Sequence, residues 1–213
     1  MCPLLALILC GSQFVYGEEL RATITTAAGQ PLADAVVIAI AIDPDHQPTL
    51  TPATAIEDQV EKQFVPYVNP VLVGTSVSFP NSDKIRHQVY SFSPAKRFEL
   101  PLYAGSPAAP VVFDKPGPVA LGCNIHDWMR GYIYVAESPW FAQSDAAGRA
   151  SVSEMPAGRY RVRVWHPQMR ATEDSTAQEI TVTADASAAI EWQIDLKPAI
   201  LRRAPIGSEG GYR

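Results

Sequence analysis

The segment LGCNIHDWMRGYIYV, residues 121–135, places three metal-binding side-chain types directly before a predicted β-strand. Cys123, His126 and Met129 follow one another at intervals of three residues. The run GYIYV after them is rich in β-branched and aromatic residues, which favours a strand. These side chains either bind one metal ion or simply share a turn, and the choice depends on what the rest of the chain implies for Cys123.

The first residues of the chain resemble an export signal. An apolar run over residues 3–10 is too short to span a bilayer, and the small residue Gly17 precedes two glutamates. We therefore expect residues 1–17 to be a secretory signal peptide and the mature protein to be periplasmic. A lipoprotein anchored through Cys10 is the less favoured alternative, because Leu9 is bulky where lipoprotein signals carry a small residue.

Removal of residues 1–17 would leave Cys123 as the sole cysteine of the mature chain. A single thiol in an oxidising compartment cannot form an intramolecular disulfide. An intermolecular disulfide, a reactive thiol or a bond to a metal ion would each explain it.

The composition narrows the classes of partner. Of the 213 residues 47% are hydrophobic and 18% charged, which is typical of a globular core. The net charge is −5, and no basic stripe occurs, which argues against nucleic acid and anionic membranes as partners. We also expect no membrane insertion after signal cleavage.

The segments past the signal predict an all-β protein. Short runs of β-branched and aromatic residues alternate with Gly, Pro, Asn and Asp, as in β-sandwiches. One segment, AIEDQVEKQF at 55–64, could instead form two or three turns of helix. The predicted strands are 20–26, 35–42, 75–79, 87–92, 118–123, 131–136, 149–153, 158–166, 178–184 and 189–196.

Two separated segments resemble the same β-sandwich module. AAGQPLADAVVIAI (27–40) and DAAGRASVSEMPAGRYRVRVWHP (145–167) resemble early and late strands of carboxypeptidase-regulatory-like, transthyretin-type Ig modules. We therefore predict a discontinuous Ig-like sandwich, residues 18–45 plus 140–196, with a second β domain at 60–136 inserted into it. Two sequential domains are the alternative. The tail, residues 197–213, lacks periodicity and is predicted to be flexible.

A histidine far upstream completes a possible ligand set. His87 begins a predicted strand 36 residues before Cys123. A type 1 copper site takes two imidazoles and one thiolate near a plane, with a weak axial thioether, and the chain offers these in His87, Cys123, His126 and Met129. Zinc would accept the same thiolate and imidazoles, and Met129 alone could be core filling. Because the four occur together, we predict one mononuclear copper ion.

The ligand segment resembles the cupredoxin family, and its C-x-x-H-x-x-M-R-G spacing is similar to the short loop of amicyanin. The wider resemblance covers Val71 to Val135, with VGTSVSFPN before His87 and FDKPGPVALGC leading into Cys123. The whole chain resembles plastocyanin-like proteins labelled methylamine-utilisation proteins. The resemblance implies a Greek-key barrel, type 1 copper and periplasmic electron transfer.

Several positions near the ligands depart from the family pattern or flank it. Gln88 stands where the family carries an Asn that braces the Cys loop, and Asn124 precedes Ile125 where Thr/Ser-Pro is usual. Trp128 replaces the commoner Phe or Gly and is predicted to be part of an apolar docking patch. Asn81 and Asp83 precede His87 and are predicted to orient it or to brace the Cys loop.

These features predict an electron carrier rather than an enzyme, since a fully ligated site has no open position for a substrate. The expected partner is another redox protein, either a dehydrogenase or a c-type cytochrome. A copper-binding or storage protein, or a structural scaffold without electron transfer, is the alternative.

Overall fold

The protein is nearly all β, as predicted. The computed structural model describes residues 19–44, 47–51, 53–107, 109–184 and 186–198. Besides a short 3-10 helix at Glu173–Thr176, the elements are strands: β1 Leu20–Thr26, β2 Val36–Ala41, β3 Thr54–Ile56, β4 Asp58–Val60, β5 Gln63–Val65, β6 Val68–Leu72, β7 Thr75–Ser78, β8 His87–Ser93, β9 Lys96–Tyr103, β10 Val111–Phe113, β11 Gly117–Cys123, β12 His126–Ala136, β13 Phe141–Gln143, β14 Arg149–Val152, β15 Gly158–Trp165, β16 Gln178–Val182 and β17 Ala188–Ile194.

The two ends of the chain build one pair of sheets. One sheet has the order β14-β1-β17 and the other β13-β2-β15-β16. Strand β15 shows why they pack: Tyr160, Val162 and Val164 alternate along it and are fully buried. A strand with one apolar face must cover that face with another layer, and here the sheets contribute to one core.

The middle of the chain builds a second group of sheets. A five-stranded sheet has the order β6-β12-β11-β8-β9, a three-stranded sheet the order β10-β7-β3, and β4 and β5 form a hairpin. Their inward side chains form a separate core that includes Phe79, Phe113 and Ile133. Strands β8, β11 and β12, which carry the predicted ligands, are neighbours in the larger sheet.

The two cores support the discontinuous arrangement of domains that we propose. The first core draws on β1 and β2 and on strands from β13 to β17, whereas the second draws on residues 64–135. Three residues of the middle segment, Val68, Tyr134 and Ala136, nevertheless belong to the first core. Strand β12 therefore packs on both sides of the boundary between the two cores.

Residues 55–64, which the sequence would also have allowed to form two or three turns of helix, form strands instead. The segment forms β3, β4 and β5, and the hairpin turn between the last two has Glu61 and Lys62 in the left-handed region, with φ of 52° and 60°. Two consecutive positive φ values are the mark of a tight hairpin turn. The turn contains no Gly or Asn that would have indicated it in the sequence. Strand β3 of this segment pairs with β7, which is distant in the sequence.

Strand β12 begins five residues earlier than predicted, at His126 instead of Gly131. Other strands were missed because they carry weak signals. Strand β9 lies at a sheet edge, contains Pro101 and exposes much of its length, and β6 lies at the opposite edge with Pro70. Proline is tolerated at sheet edges, where its missing N–H breaks no ladder.

The predicted signal peptide at 1–17 and the tail from residue 199 lie outside the described residues. In the part of the chain that is described, no helix has the length and apolar character needed to cross a membrane.

Candidate metal centre

Three neighbouring strands bring the predicted donors together. His87 is the first residue of β8, Cys123 the last of β11 and His126 the first of β12. Strands β8 and β12 flank β11, with Tyr90 opposite Gly122 and His126 opposite Cys123. Cys123 and His126, on either side of the hairpin turn between β11 and β12, therefore lie next to His87 at one end of the sheet.

The three donor atoms are spaced as a metal ion requires. Nδ1 of His87 lies 3.7 Å from Sγ of Cys123, and Nδ1 of His126 lies 3.8 Å from the same sulfur. All three residues are buried, and their donor atoms lie within 4.8 Å of one another.

The sulfur–nitrogen distances fit donors that share one metal ion. With bonds of about 2.3 Å to sulfur and about 2.05 Å to nitrogen, the values for zinc, a trigonal site separates the two atoms by about 3.8 Å and a tetrahedral site by about 3.6 Å. The observed separations, 3.7 Å and 3.8 Å, lie between the tetrahedral and trigonal values or at the trigonal one, so both geometries accommodate them. A near-trigonal thiolate with two imidazoles is the in-plane set of type 1 copper.

Met129 lies in a break in the pairing of β11 with β12. Gly122 pairs with Arg130, but the next residue, Cys123, pairs with His126, so three residues of β12 bulge out of register. A bulge changes the direction of side chains along the strand. Met129 is 1% exposed and shares the second core and a cavity wall with Cys123.

The thiol of Cys123 lies in an environment that favours the thiolate. Burial raises its pKa, but the contact with His87 and hydrogen bonds from the backbone N–H groups of Gln88 and Ile125 outweigh this and lower the pKa below its ordinary value. Because the thiolate is the form that binds metal, the site is prepared for a cation.

The two histidines have different surroundings. His87 is fully buried, and its Nε2 lies 2.7 Å from Oδ2 of Asp83. Burial lowers the pKa of His87, yet Cys123 and Asp83 together raise it above its ordinary value. His126 is 9% exposed, and burial followed by the charge of His87 lowers its pKa.

The predicted flanking residues are only partly brought to the site. Asn81 accepts the backbone N–H of Asp83 at 3.0 Å and so contacts His87 indirectly. The side chain of Gln88 donates a hydrogen bond to Glu99 at 2.6 Å instead of contacting the donors. Its backbone N–H donates to the sulfur of Cys123. The side chain of Asn124 does not reach the donors, because it lies exposed in the hairpin turn.

Trp128 is half-buried against the second core, with its ring centroid 5.2 Å from that of His126. Its indole N–H is buried and has no partner among the described residues. Trp140, by contrast, is 8% exposed and packs on Tyr160 in the first core.

Sequence reasoning missed the groove beside the sulfur. A cavity of about 670 Å³ lies over the outer face of the sheet. Its floor is Ala120 and Gly122, and its walls include Tyr90, Phe92 and Tyr132. The sequence feature that indicates this groove is the pair of small residues, Ala120 and Gly122, on the strand that ends in Cys123.

Comparison with known proteins gives structural similarity alone. No family model and no curated protein matches the chain. The purple cupredoxin from Nitrosopumilus maritimus matches at 23% identity and a TM-score of 0.33, covering 38% of this chain and 96% of that one. A reduced amicyanin variant matches at 21% identity and a TM-score of 0.35, covering 46% of this chain and 98% of that one.

A copper-containing nitrite reductase from Thermus scotoductus matches at 25% identity and a TM-score of 0.36. The match covers 55% of this chain but only 28% of the reductase. These structural neighbours are cupredoxins or contain copper, at low identity and partial coverage.

Proposed function

We propose that this chain is a periplasmic electron-transfer protein that binds one type 1 copper ion through His87, Cys123, His126 and Met129. The observation that carries the proposal is the pair of 3.7 Å and 3.8 Å distances from one buried sulfur to two imidazole nitrogens. Bound copper would supply a one-electron couple between its two oxidation states. Met129, buried in the same core as Cys123, would be the weakly bound fourth ligand of such a site.

The residues themselves favour electron transfer over catalysis. The three in-plane donors are held by strands of one sheet, so the site keeps its shape when the charge of the ion changes. Cys123 and Met129 are at most 3% exposed, so solvent and substrates have little access to the two sulfur atoms. The proposed partner is a redox protein, either a dehydrogenase or a c-type cytochrome. A role in methylamine utilisation rests on the resemblance of the whole chain to plastocyanin-like proteins with that label.

Copper(II) titration of the mature chain, followed by optical and EPR spectra, tests the proposal. We expect one equivalent to produce an intense thiolate-to-copper band in the visible and a reversible one-electron couple. Cys123→Ser should lose the band, and Ser91→Ala, a buried change on β8 away from the donors, should keep it.

The titration also separates the alternatives. Copper binding without a reversible couple would support storage, and no copper binding would support a scaffold. A visible band that survives Cys123→Ser would refute the ligand assignment.

A further inference from the structure

Asp83 joins a buried histidine to a remote hairpin turn. Oδ2 of Asp83 lies 2.7 Å from Nε2 of His87 and accepts the backbone N–H of Lys62 at 2.8 Å. Oδ1 accepts the backbone N–H of Glu61 at 2.7 Å. Both carboxylate oxygens are therefore occupied, and the side chain is 14% exposed.

The carboxylate cannot rotate away from the histidine. Asn81 accepts the backbone N–H of Asp83 at 3.0 Å and itself donates to the carbonyls of Ile85 and Tyr103. These bonds fix the backbone of Asp83, and the backbone N–H groups of Glu61 and Lys62 fix its two carboxylate oxygens. The position of the carboxylate is thus set independently of any metal ion.

This contact selects one tautomer of His87. A carboxylate accepts hydrogen bonds, so the proton of the neutral imidazole lies on Nε2. Nδ1 then carries the free lone pair, and this is the atom that faces Cys123 at 3.7 Å. The ring is fully buried, so water cannot replace the carboxylate as the acceptor.

The arrangement is confined to one of the two histidines. Within the described residues, Nδ1 of His126 faces Cys123 and no hydrogen-bond partner is found for its Nε2. Within the described residues, a carboxylate therefore hydrogen-bonds to the imidazole of His87 but not to that of His126. A carboxylate bonded to a ligating imidazole raises the basicity of that ligand.

We propose that Asp83 is a positioning residue that fixes the tautomer of His87, strengthens metal binding and lowers the reduction potential of the site. The inference rests on the proposed function for the potential, but not for the tautomer or for metal binding. The negative charge of Asp83 stabilises the more positive, oxidised ion. The effect is strong because the imidazole of His87, between the carboxylate and the ion, is buried away from water.

The test compares Asp83→Asn with Asp127→Asn. Both remove one carboxylate charge, but Asp127 is exposed beside His126 and has no hydrogen bond to a proposed ligand. With zinc(II), which has no redox chemistry, we expect Asp83→Asn to bind about 10- to 100-fold more weakly and Asp127→Asn to bind as the unchanged protein does. With copper, Asp83→Asn should have the higher midpoint potential and Asp127→Asn should shift it much less.

NMR of the unchanged, zinc-loaded protein keeps the proposal testable if the variant does not fold. We expect a slowly exchanging Hε2 signal from His87 and nitrogen shifts of a ring that is metal-bound at Nδ1. A proton found on Nδ1 would overturn the proposal, as would equal zinc affinities or equal potential shifts in the two variants. Loss of the copper couple in the unchanged protein would instead refute the electron-transfer function and leave the zinc results valid.

Discussion

Trp165 packs against Tyr134 with their ring centroids 5.2 Å apart and their planes at 41°. Trp165 ends β15 in the first core, and Tyr134 lies on β12, the strand that begins with His126. The contact joins the strand that carries two proposed ligands to the sandwich. The sandwich therefore supports the far end of the strand on which the metal centre is built.

A charged cluster beside this contact should be important for stability. Arg163 donates to both Glu137 and Glu173, and Tyr134 donates to Glu173. Because these groups are largely buried, Arg163→Ala leaves two carboxylates without their cation. We expect it to lower the free energy of unfolding by about 1.5–3 kcal/mol, the range for a lost hydrogen bond to a charged group.

Arg161→Ala is the matched control for this measurement. Arg161 lies on the same strand two residues earlier and is exposed. Urea unfolding should show a change within about 0.5 kcal/mol for this variant. Equal losses in the two variants would contradict the role given to the cluster.

Glu57 should make the protein less stable as pH rises. The side chain of Glu57 is buried. Its Oε2 accepts a hydrogen bond from Asn69 at 2.9 Å, and its Oε1 has no partner among the described residues. Burial raises the pKa of Glu57 well above its ordinary value of 4.5. The folded state then holds a proton that the unfolded state releases.

The sign follows from that difference in bound protons. The contribution of Glu57 to stability is complete below pH 4.5 and is lost as pH rises from there toward the raised pKa, by up to about 1.4 kcal/mol per pH unit. Glu57→Gln should therefore raise the melting temperature at pH 8 more than at pH 4. Glu191→Gln, an exposed change, should leave the pH profile parallel to that of the unchanged protein.

Met129→Leu tests the axial position. Leucine has a similar volume and cannot donate a lone pair, so we expect a stability loss below about 1.5 kcal/mol. The copper-loaded variant should keep its visible band, because the thiolate and both imidazoles stay, and its reduction potential should rise. Met155→Leu, a change at another fully buried methionine, should leave the potential as it was.

Two glycines next to the ligands should tolerate alanine differently. A Cβ on Gly131 would lie 2.6 Å from Cβ of Phe64, whereas one on Gly122 would lie 2.7 Å from Cζ of Tyr90. The Tyr90 atom is the far end of a ring that can swing into the groove, but Phe64 Cβ is tied to the backbone. Gly131→Ala should cost about 1–3 kcal/mol in thermal unfolding.

Gly122→Ala should cost less than Gly131→Ala and should change the fluorescence or accessibility of Tyr90. Equal destabilisation by both substitutions would show that the ring of Tyr90 is as immobile as the backbone.

The sequence by itself determined the fold class and the types of donor. Alternation in segments such as YRVRVW predicted buried faces on strands, and these faces are buried in the structure. The residue types at 87, 123, 126 and 129 indicated a site for soft metal ions. Thiolate and thioether donors suit such ions, whereas hard cations such as Mg²⁺ and Ca²⁺ prefer oxygen donors. Both inferences depend on local composition and spacing, which a single sequence displays.

The tertiary structure decided how those donors are arranged. The bulge that includes Met129 arises where β12 loses register with β11. The carboxylate of Asp83 is held by Glu61 and Lys62, more than twenty residues away, in a turn that the sequence would also have allowed to be helical. Such features depend on which strands pair across the fold, and pairing is settled by packing between distant segments rather than by local propensity.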